Sequence, residues 1–452
     1  MQEVTKTFWG VNPSFCDWTS RLPLFADPMR RGRAFEVFKE DGTPTSELSP
    51  LGPDGWPVVD GRWHGVRLFG DMGGTMPEMG AESSQFKLRV NAGNSAFICW
   101  RGGEIPFQKS IRLRPSFGSW HTPSFEALNY FKPKVMRTLD WGYQARKTRR
   151  PDWTKPRVMP LDPLQGEEMA LELQCDAANI LNCALWWNAP PRFELSVDEY
   201  ERRLEVMLGT IRDIAKKPPI LEYGNELWND GFPVKNWLDR LDAESEASWH
   251  AFASREIATL KRVADRVFGE PGPLGQNPYY LFVGGHIGNP DTMDRILSAL
   301  DFAPDMAGPA VYVRPKDADA DKWAASTVPP TQAELRISCM SRLPEYRNKL
   351  DAHRSIAHSH GVPYFSCYEV GQDMHARGPA FKQAALQAQR EPWMGDLYRE
   401  IRKLMTDAKV DLSCWYSAAS AQTLDRAFGL LEGTLDKAEP LPKAVAARGD
   451  QQ

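Results

Sequence analysis

A (β/α)8 TIM barrel with a small antiparallel β-rich insertion near the N-terminus is the fold class that this sequence predicts, on three observations. From about residue 130 onward, short apolar runs alternate with long amphipathic stretches, the pattern of repeated β-α units around a parallel sheet. The apolar runs number eight once the first, near the N-terminus, is included, and eight strands close such a barrel. At 452 residues the chain also accommodates one barrel of roughly 250 residues or more with a smaller unit beside it, better than three equal domains.

The strands are read in order at 8–11 (FWGV), 135–139 (VMRTL), 178–187 (ANILNCALWW), 220–223 (ILEY), 280–284 (YLFVG), 307–312 (AGPAVY), 363–368 (PYFSCY) and 410–416 (VDLSCWY). Helices are expected at 166–175, 196–216, 243–268, 290–300, 343–360 and 391–408. The second opens on Ser196 with Glu199 three residues later, a capping box. Residues 41–118 break the rhythm. Turn signals (DGTP, GPDGWP, DGRW, NAGN) separate short alternating segments such as FKLRV and AFICW, so this stretch reads as an inserted antiparallel unit. The organisation is then 1–40 with the first strand, 41–118 as the insert, 119–445 as the rest of the barrel and 446–452 as a flexible tail.

Charge and composition narrow the function. Lys and Arg total 55 against 59 Asp and Glu, which gives the chain no overall pull toward nucleic acid or an anionic membrane and favours a neutral ligand. Sixteen tryptophans are enough both to pack a large core and to furnish flat platforms for ligand rings. No run approaches 18 apolar residues, so no membrane span is expected, and MQEVTKTFWG is too polar for a signal peptide. The seven cysteines contain no CxxC pair and mostly sit in apolar runs, so buried free thiols are expected over a disulfide framework. GxSxG, HExxH, phosphate-binding glycine loops and dinucleotide fingerprints are absent, against esterase, zincin, kinase and dehydrogenase chemistry. HRSIAHSH (353–360) is expected on a solvated helix face, not as a metal site, and no cofactor or metal is expected. The basic stretch Arg146, Lys147, Arg149, Arg150, Lys155 and Arg157 reads as a solvated loop, with a cleft flank favouring acidic sugars as the alternative.

In a parallel barrel the catalytic groups come from the C-terminal strand ends. Two carboxylates stand there: Glu226 in ILEYGNELWN and Glu369 in PYFSCYEVG. Two acids on one rim are what glycoside cleavage requires, one to protonate the leaving oxygen and one to attack the anomeric carbon or activate water. Asn225 beside Glu226 adds an amide for a sugar hydroxyl, and burial of Glu226 against Tyr223 and Trp228 favours a protonated acid. Asp140, Trp141, Trp187 and Asn188 are candidate subsite residues, with Trp187 preferred over Trp186 because neighbours on a strand face opposite ways.

The segment YGNELWN (223–229) resembles the Asn-Glu motif at the end of the fourth strand in the glycoside hydrolase clan A superfamily of retaining (β/α)8 enzymes, and YEVG (368–371) resembles its seventh-strand nucleophile motif. VMRTLDW, ALWWNAP, VYV and FWGVNP resemble other strand ends of these proteins in the same order, so the likeness covers most of 119–445 and the start. The resemblance implies Glu226 as general acid/base, Glu369 as nucleophile and Asn225 as ligand of the 2-hydroxyl. It implies Arg137 beneath the nucleophile, Tyr312 hydrogen-bonded to it and Trp415 as the sugar platform. Clan members often carry a strand-end His, for which His286 in VGGHIGN is the candidate; no single family within the clan is singled out. The expected function is retaining hydrolysis of a β-linked oligo- or polysaccharide, with an inactive carbohydrate-binding or assembly protein as the alternative. Sugar polymers lie mostly outside cells, which points to an extracellular or cell-surface site. The sequence leaves sugar identity, linkage and oligomeric state open.

Overall fold

The computed structural model describes residues 7–13, the strands within 34–100, 122–141, 171–244, 247–269, 277–420 and most of 422–449. Eight parallel strands form a closed ring: β1 (Phe8–Val11), β6 (Val135–Arg137), β7 (Ala184–Ala189), β8 (Ile220–Tyr223), β9 (Tyr280–Gly285), β10 (Met306–Pro309), β12 (Tyr364–Gln372) and β13 (Leu412–Trp415). β10 pairs with both β9 and β12 (Met306 with Phe282 and Tyr364), which closes the cylinder. β11 (Val311–Val313) bonds to β12 outside the ring, at Val311–Val370 and Tyr312–Gly371.

Strand alternation divides the core in two. Val135, Trp186, Ile220, Phe282, Met306, Tyr368, Leu412 and Cys414 fill the barrel interior. A larger cluster, with Met136, Leu185, Trp187, Leu221, Leu281, Val283, Phe365 and Val370, packs the strands under the surrounding helices. A separate antiparallel sheet in the order β2-β3-β5-β4 comprises β2 (Ala34–Phe38), β3 (Gly65–Phe69), β4 (Phe86–Val90) and β5 (Ser95–Trp100). Its β2 lies ahead of residue 41, where the insert was expected to begin, and NAGN links β4 to β5.

Several elements correct the expected ones. The third strand starts at Ala184, not 178, because α2 (Leu171–Ile180) runs through Ala178 and the chain reverses at Asn182 with φ of 50°. The segment read as one strand at 307–312 is two: at Gly308 a side chain would meet the Ser366 carbonyl at 2.0 Å, and Pro309 has no N–H to continue a ladder. The helix expected at 243–268 is preceded by α4 (Pro233–Ala243), opened by Pro233, and begins only at Trp249 as α5 (Trp249–Phe268). Ser196 caps α3 (Val197–Ile214) by accepting from the Glu199 amide, but the Glu199 carboxylate turns to Arg202 and Arg203. A complete capping box forms instead at Thr331–Glu334, at the start of α8 (Gln332–Met340). The tail expected from 446 is instead helical through Arg448, where the Ala447 carbonyl accepts from Arg402.

Cys175, Cys183, Cys339, Cys367 and Cys414 are buried free thiols, and burial pushes the first three up to about 12. No helix among the described residues is long and apolar enough to cross a membrane.

Candidate active site

One cation organises the C-terminal mouth of the barrel. Arg137, the last residue of β6, is fully buried, and all five of its N–H groups are used. Nε and Nη2 grip the Glu222 carboxylate at 2.9 and 3.0 Å, Nη1 donates to Glu369 Oε1 at 2.7 Å and to Asn12 Oδ1 at 3.2 Å, and Nη2 donates to Asn225 Oδ1 at 2.8 Å. Burial pulls the guanidinium down, and the charges of Glu222 and Glu369 more than offset it, so Arg137 stays charged. Asn12, just past β1, turns its amide nitrogen to the carbonyls of Tyr368 and Trp415 and so ties the first strand to the last two.

Glu369 sits at an irregularity in β12. The register with β13 shifts between Cys367 and Val370, and the extra residue lets neighbours Tyr368 and Glu369 both reach Arg137. The second Glu369 oxygen accepts from the Tyr312 hydroxyl at 2.5 Å. Tyr312 is held in turn through its carbonyl, which accepts from Tyr346. Burial pushes the Glu369 carboxyl up, and Arg137 and Tyr312 oppose that rise.

Glu226 is presented by a tight reversal after β8. Gly224 has φ of 65° and Glu226 itself φ of 42°, a conformation that costs a non-glycine residue about 1–2 kcal/mol. Asn229 closes the turn, donating to Glu226 Oε2 at 2.6 Å while its backbone amide reaches the Glu226 carbonyl. The other oxygen faces the Tyr368 hydroxyl at 3.4 Å. Burial, then the charge of Glu369, raises Glu226 to about 7 from its ordinary value of 4.5. A charge count gives the same answer: one guanidinium already faces two carboxylates, so a third acid in this site keeps its proton. The charge of Glu369 thus links the titration of the two acids.

The structure therefore brings Arg137, Asn225, Glu226, Tyr312 and Glu369 together. His286 lies at the end of β9 and stacks on Trp228 at 4.0 Å, with burial pushing its imidazole down. Asn188 is buried in the same mouth and donates to the Gly224 carbonyl. Asp140 is on the short turn after β6, and its side chain lies outside the described residues, as does the 146–157 basic stretch.

Five expected placements are corrected. Trp415 is 1% exposed: it points outward, stacking on Trp9 at 4.3 Å and packing on Tyr398, so it offers no face to a sugar. Its neighbour Tyr416 takes the inward side and meets Tyr312 edge-on at 6.0 Å. Trp141 is fully buried in the outer core. Trp187 packs under the helices, and Trp186 takes the interior, donating to Glu222 at 2.8 Å. The period of two puts Asn188 on the face of Trp186, not of Trp187. Tyr223 also faces away from Glu226, toward Arg192, and Tyr368 occupies the place expected of it. His353 is buried, its ring nitrogens on the Lys349 and His286 carbonyls, not on a solvated face, and His360 pairs with Asp294. No metal-binding cluster of His, Cys, Asp or Glu occurs among the described residues.

Sequence reasoning missed Glu222, Tyr368 and Asn229. Glu222 was legible: an acid in the middle of ILEY, a strand buried throughout, needs a buried cation.

No protein-family model and no curated protein sequence matches the chain. Solved structures with similar folds are glycoside hydrolases. They include a broad-specificity endoglucanase of Clostridium longisporum, with 12% identity, 72% of this chain and 84% of that one, and TM-score 0.41. An endo-β-1,4-mannanase of Thermotoga petrophila aligns at 14% identity over 72% and 71%, with TM-score 0.38. A β-glucosidase of Thermotoga maritima aligns at 12% over 72% and 83%, with TM-score 0.36. These neighbours are (β/α)8 barrels of the clan A superfamily, and no single family among them is assigned.

Proposed function

We propose that the chain is a retaining β-glycosidase acting on a β-linked oligo- or polysaccharide. The observation that carries the reading is the contrast between its two acids. Glu369 is held by a buried guanidinium and a tyrosine hydroxyl, whereas among the described residues the Glu226 oxygens meet the neutral donors Asn229 and Tyr368. Two carboxyls set apart in this way take opposite roles.

In the first step Glu226 gives its proton to the glycosidic oxygen as the bond to the anomeric carbon breaks, and a Glu369 oxygen forms a bond to that carbon. In the second, Glu226 takes a proton from water, the water oxygen bonds to the anomeric carbon, and Glu369 leaves as carboxylate. Asn225, whose Oδ1 is fixed by Arg137, turns its Nδ2 away from the guanidinium, where a sugar hydroxyl can accept from it. All of this uses side chains of the protein alone.

The test is turnover of a panel of para-nitrophenyl β-glycosides by wild type, Glu226→Ala and Glu369→Ala. Each substitution should remove nearly all turnover, at least about 10³-fold, with the melting temperature showing a folded protein. Ordinary activity in either variant contradicts the mechanism. Glycan binding by wild type with no release of reducing ends favours a binding protein instead.

A further inference from the structure

Beyond the two acids, on the same rim, lies a cavity of about 270 Å³ between the loop after β12 and the segment around Ala427. Its wall includes Met374, Leu386, Leu424 and Phe428, and its polar floor is Gln372 and Gln389. Phe428 joins it to the candidate active site, since the same ring packs on Tyr312 at 5.8 Å and on Tyr416 at 5.6 Å, and Tyr312 holds Glu369.

Among the described residues that line it, Gln372 carries an unmatched atom, and the hydrogen bonds behind it identify which one. Lys443, fully buried, donates to Gln389 Oε1 at 2.6 Å and to the Ala427 carbonyl at 3.0 Å. Gln389 must therefore present its oxygen to this side, its nitrogen being spent on the Ala385 carbonyl. Gln372 in turn must present Nε2, which donates to Gln389 Oε1 at 3.2 Å and to Ala427 at 2.9 Å. A flipped Gln372 would set oxygen against two acceptors. Its Oε1 is left buried without a partner among the described residues, on a side chain 2% exposed. A buried acceptor of this kind costs about 1–3 kcal/mol until a donor reaches it.

We infer that this cavity is a subsite for a second sugar unit of the substrate, a ring whose hydroxyl donates to Gln372 Oε1 and whose C–H face lies on Phe428. The inference rests on the glycosidase reading above and deepens it. The volume, just under the about 300–1,000 Å³ of sites for drug-sized ligands, suits one sugar ring. The substrate is then a chain of at least two units, and Gln372 is a specificity-determining residue.

Two variants test it. Gln372→Met removes the acceptor while Gln389 and Ala427 keep their bonds from Lys443. Leu386→Trp fills the space from a half-buried position on α10 (Pro379–Ala388). The readout is the ratio of kcat/KM for two-unit over one-unit para-nitrophenyl β-glycosides of glucose, mannose and xylose, alongside each variant's melting temperature. The ratio should fall about tenfold in both variants, through KM. An unchanged ratio in both overturns the subsite. Calorimetric titration with cellobiose, mannobiose and xylobiose needs no turnover: tighter binding to wild type than to both variants supports the subsite even where hydrolysis is absent, a failure that then falls on the glycosidase reading alone. Equal binding to all three proteins overturns the subsite.

Discussion

At Glu226, burial and a neighbouring charge act on a single titration. Its carboxyl is raised to about 7 by burial and by Glu369, so it is neutral through the acid range and charges near neutrality. Because the folded value exceeds the unfolded one, this group's contribution to stability is fully present below about 4.5 and is lost as pH rises through about 7. Glu226→Gln should therefore flatten the melting-temperature profile between pH 5 and 8 and exceed wild type at the alkaline end. Equal slopes for the two proteins would contradict the assignment. In Glu369→Gln, removal of the neighbouring charge should shift the Glu226 midpoint downward, read by carbon NMR of the labelled carboxyl. The two acids were legible in the sequence because each follows an apolar run, and Arg137 came from the family resemblance. The aromatic partners were not: whether Trp415 or Tyr416 faces the cleft depends on where the strand's alternation starts, and the composition of the run leaves that phase undetermined.

At the scale of elements, the eight-strand ring follows from apolar runs at regular spacing, and each strand expected from the sequence overlaps an observed one. What escaped were the local breaks that aim the site: the shift in β12 that turns Tyr368 and Glu369 to one arginine, and the split of the sixth strand that places Tyr312 beside β12. Both depend on contacts with a neighbouring strand, which no single run records. Gly308 marks the second break, with no room for a Cβ against Ser366. Gly308→Ala should lower the melting temperature and weaken turnover together, since the backbone must shift between the core and Tyr312. Trp415 and Tyr416 offer a matching contrast. Trp415→Ala opens a buried cavity and should cost about 3–5 kcal/mol in urea unfolding. Tyr416→Ala, at a half-buried position, should cost less stability and raise KM.

Across the whole molecule, Arg137 ties together the ends of β1, β6, β8 and β12, so the group that opposes the upward shift of Glu369 also holds the barrel mouth. On the proposed mechanism, stability and catalysis share this residue. Arg137→Met leaves Glu222 and Glu369 buried without their cation and should cost about 3–5 kcal/mol of unfolding free energy as well as turnover. The proposed division of labour between the two acids, Glu369 bonding to sugar and Glu226 moving the proton, is tested most directly by trapping the covalent intermediate. Wild type is incubated with 2,4-dinitrophenyl 2-deoxy-2-fluoro-β-glycosides of glucose, mannose and xylose, then digested and its peptides weighed. One fluorosugar on the peptide containing Glu369 is the expected result. A label on Glu226, or hydrolysis of the parent glycosides with inversion and no label, would contradict it.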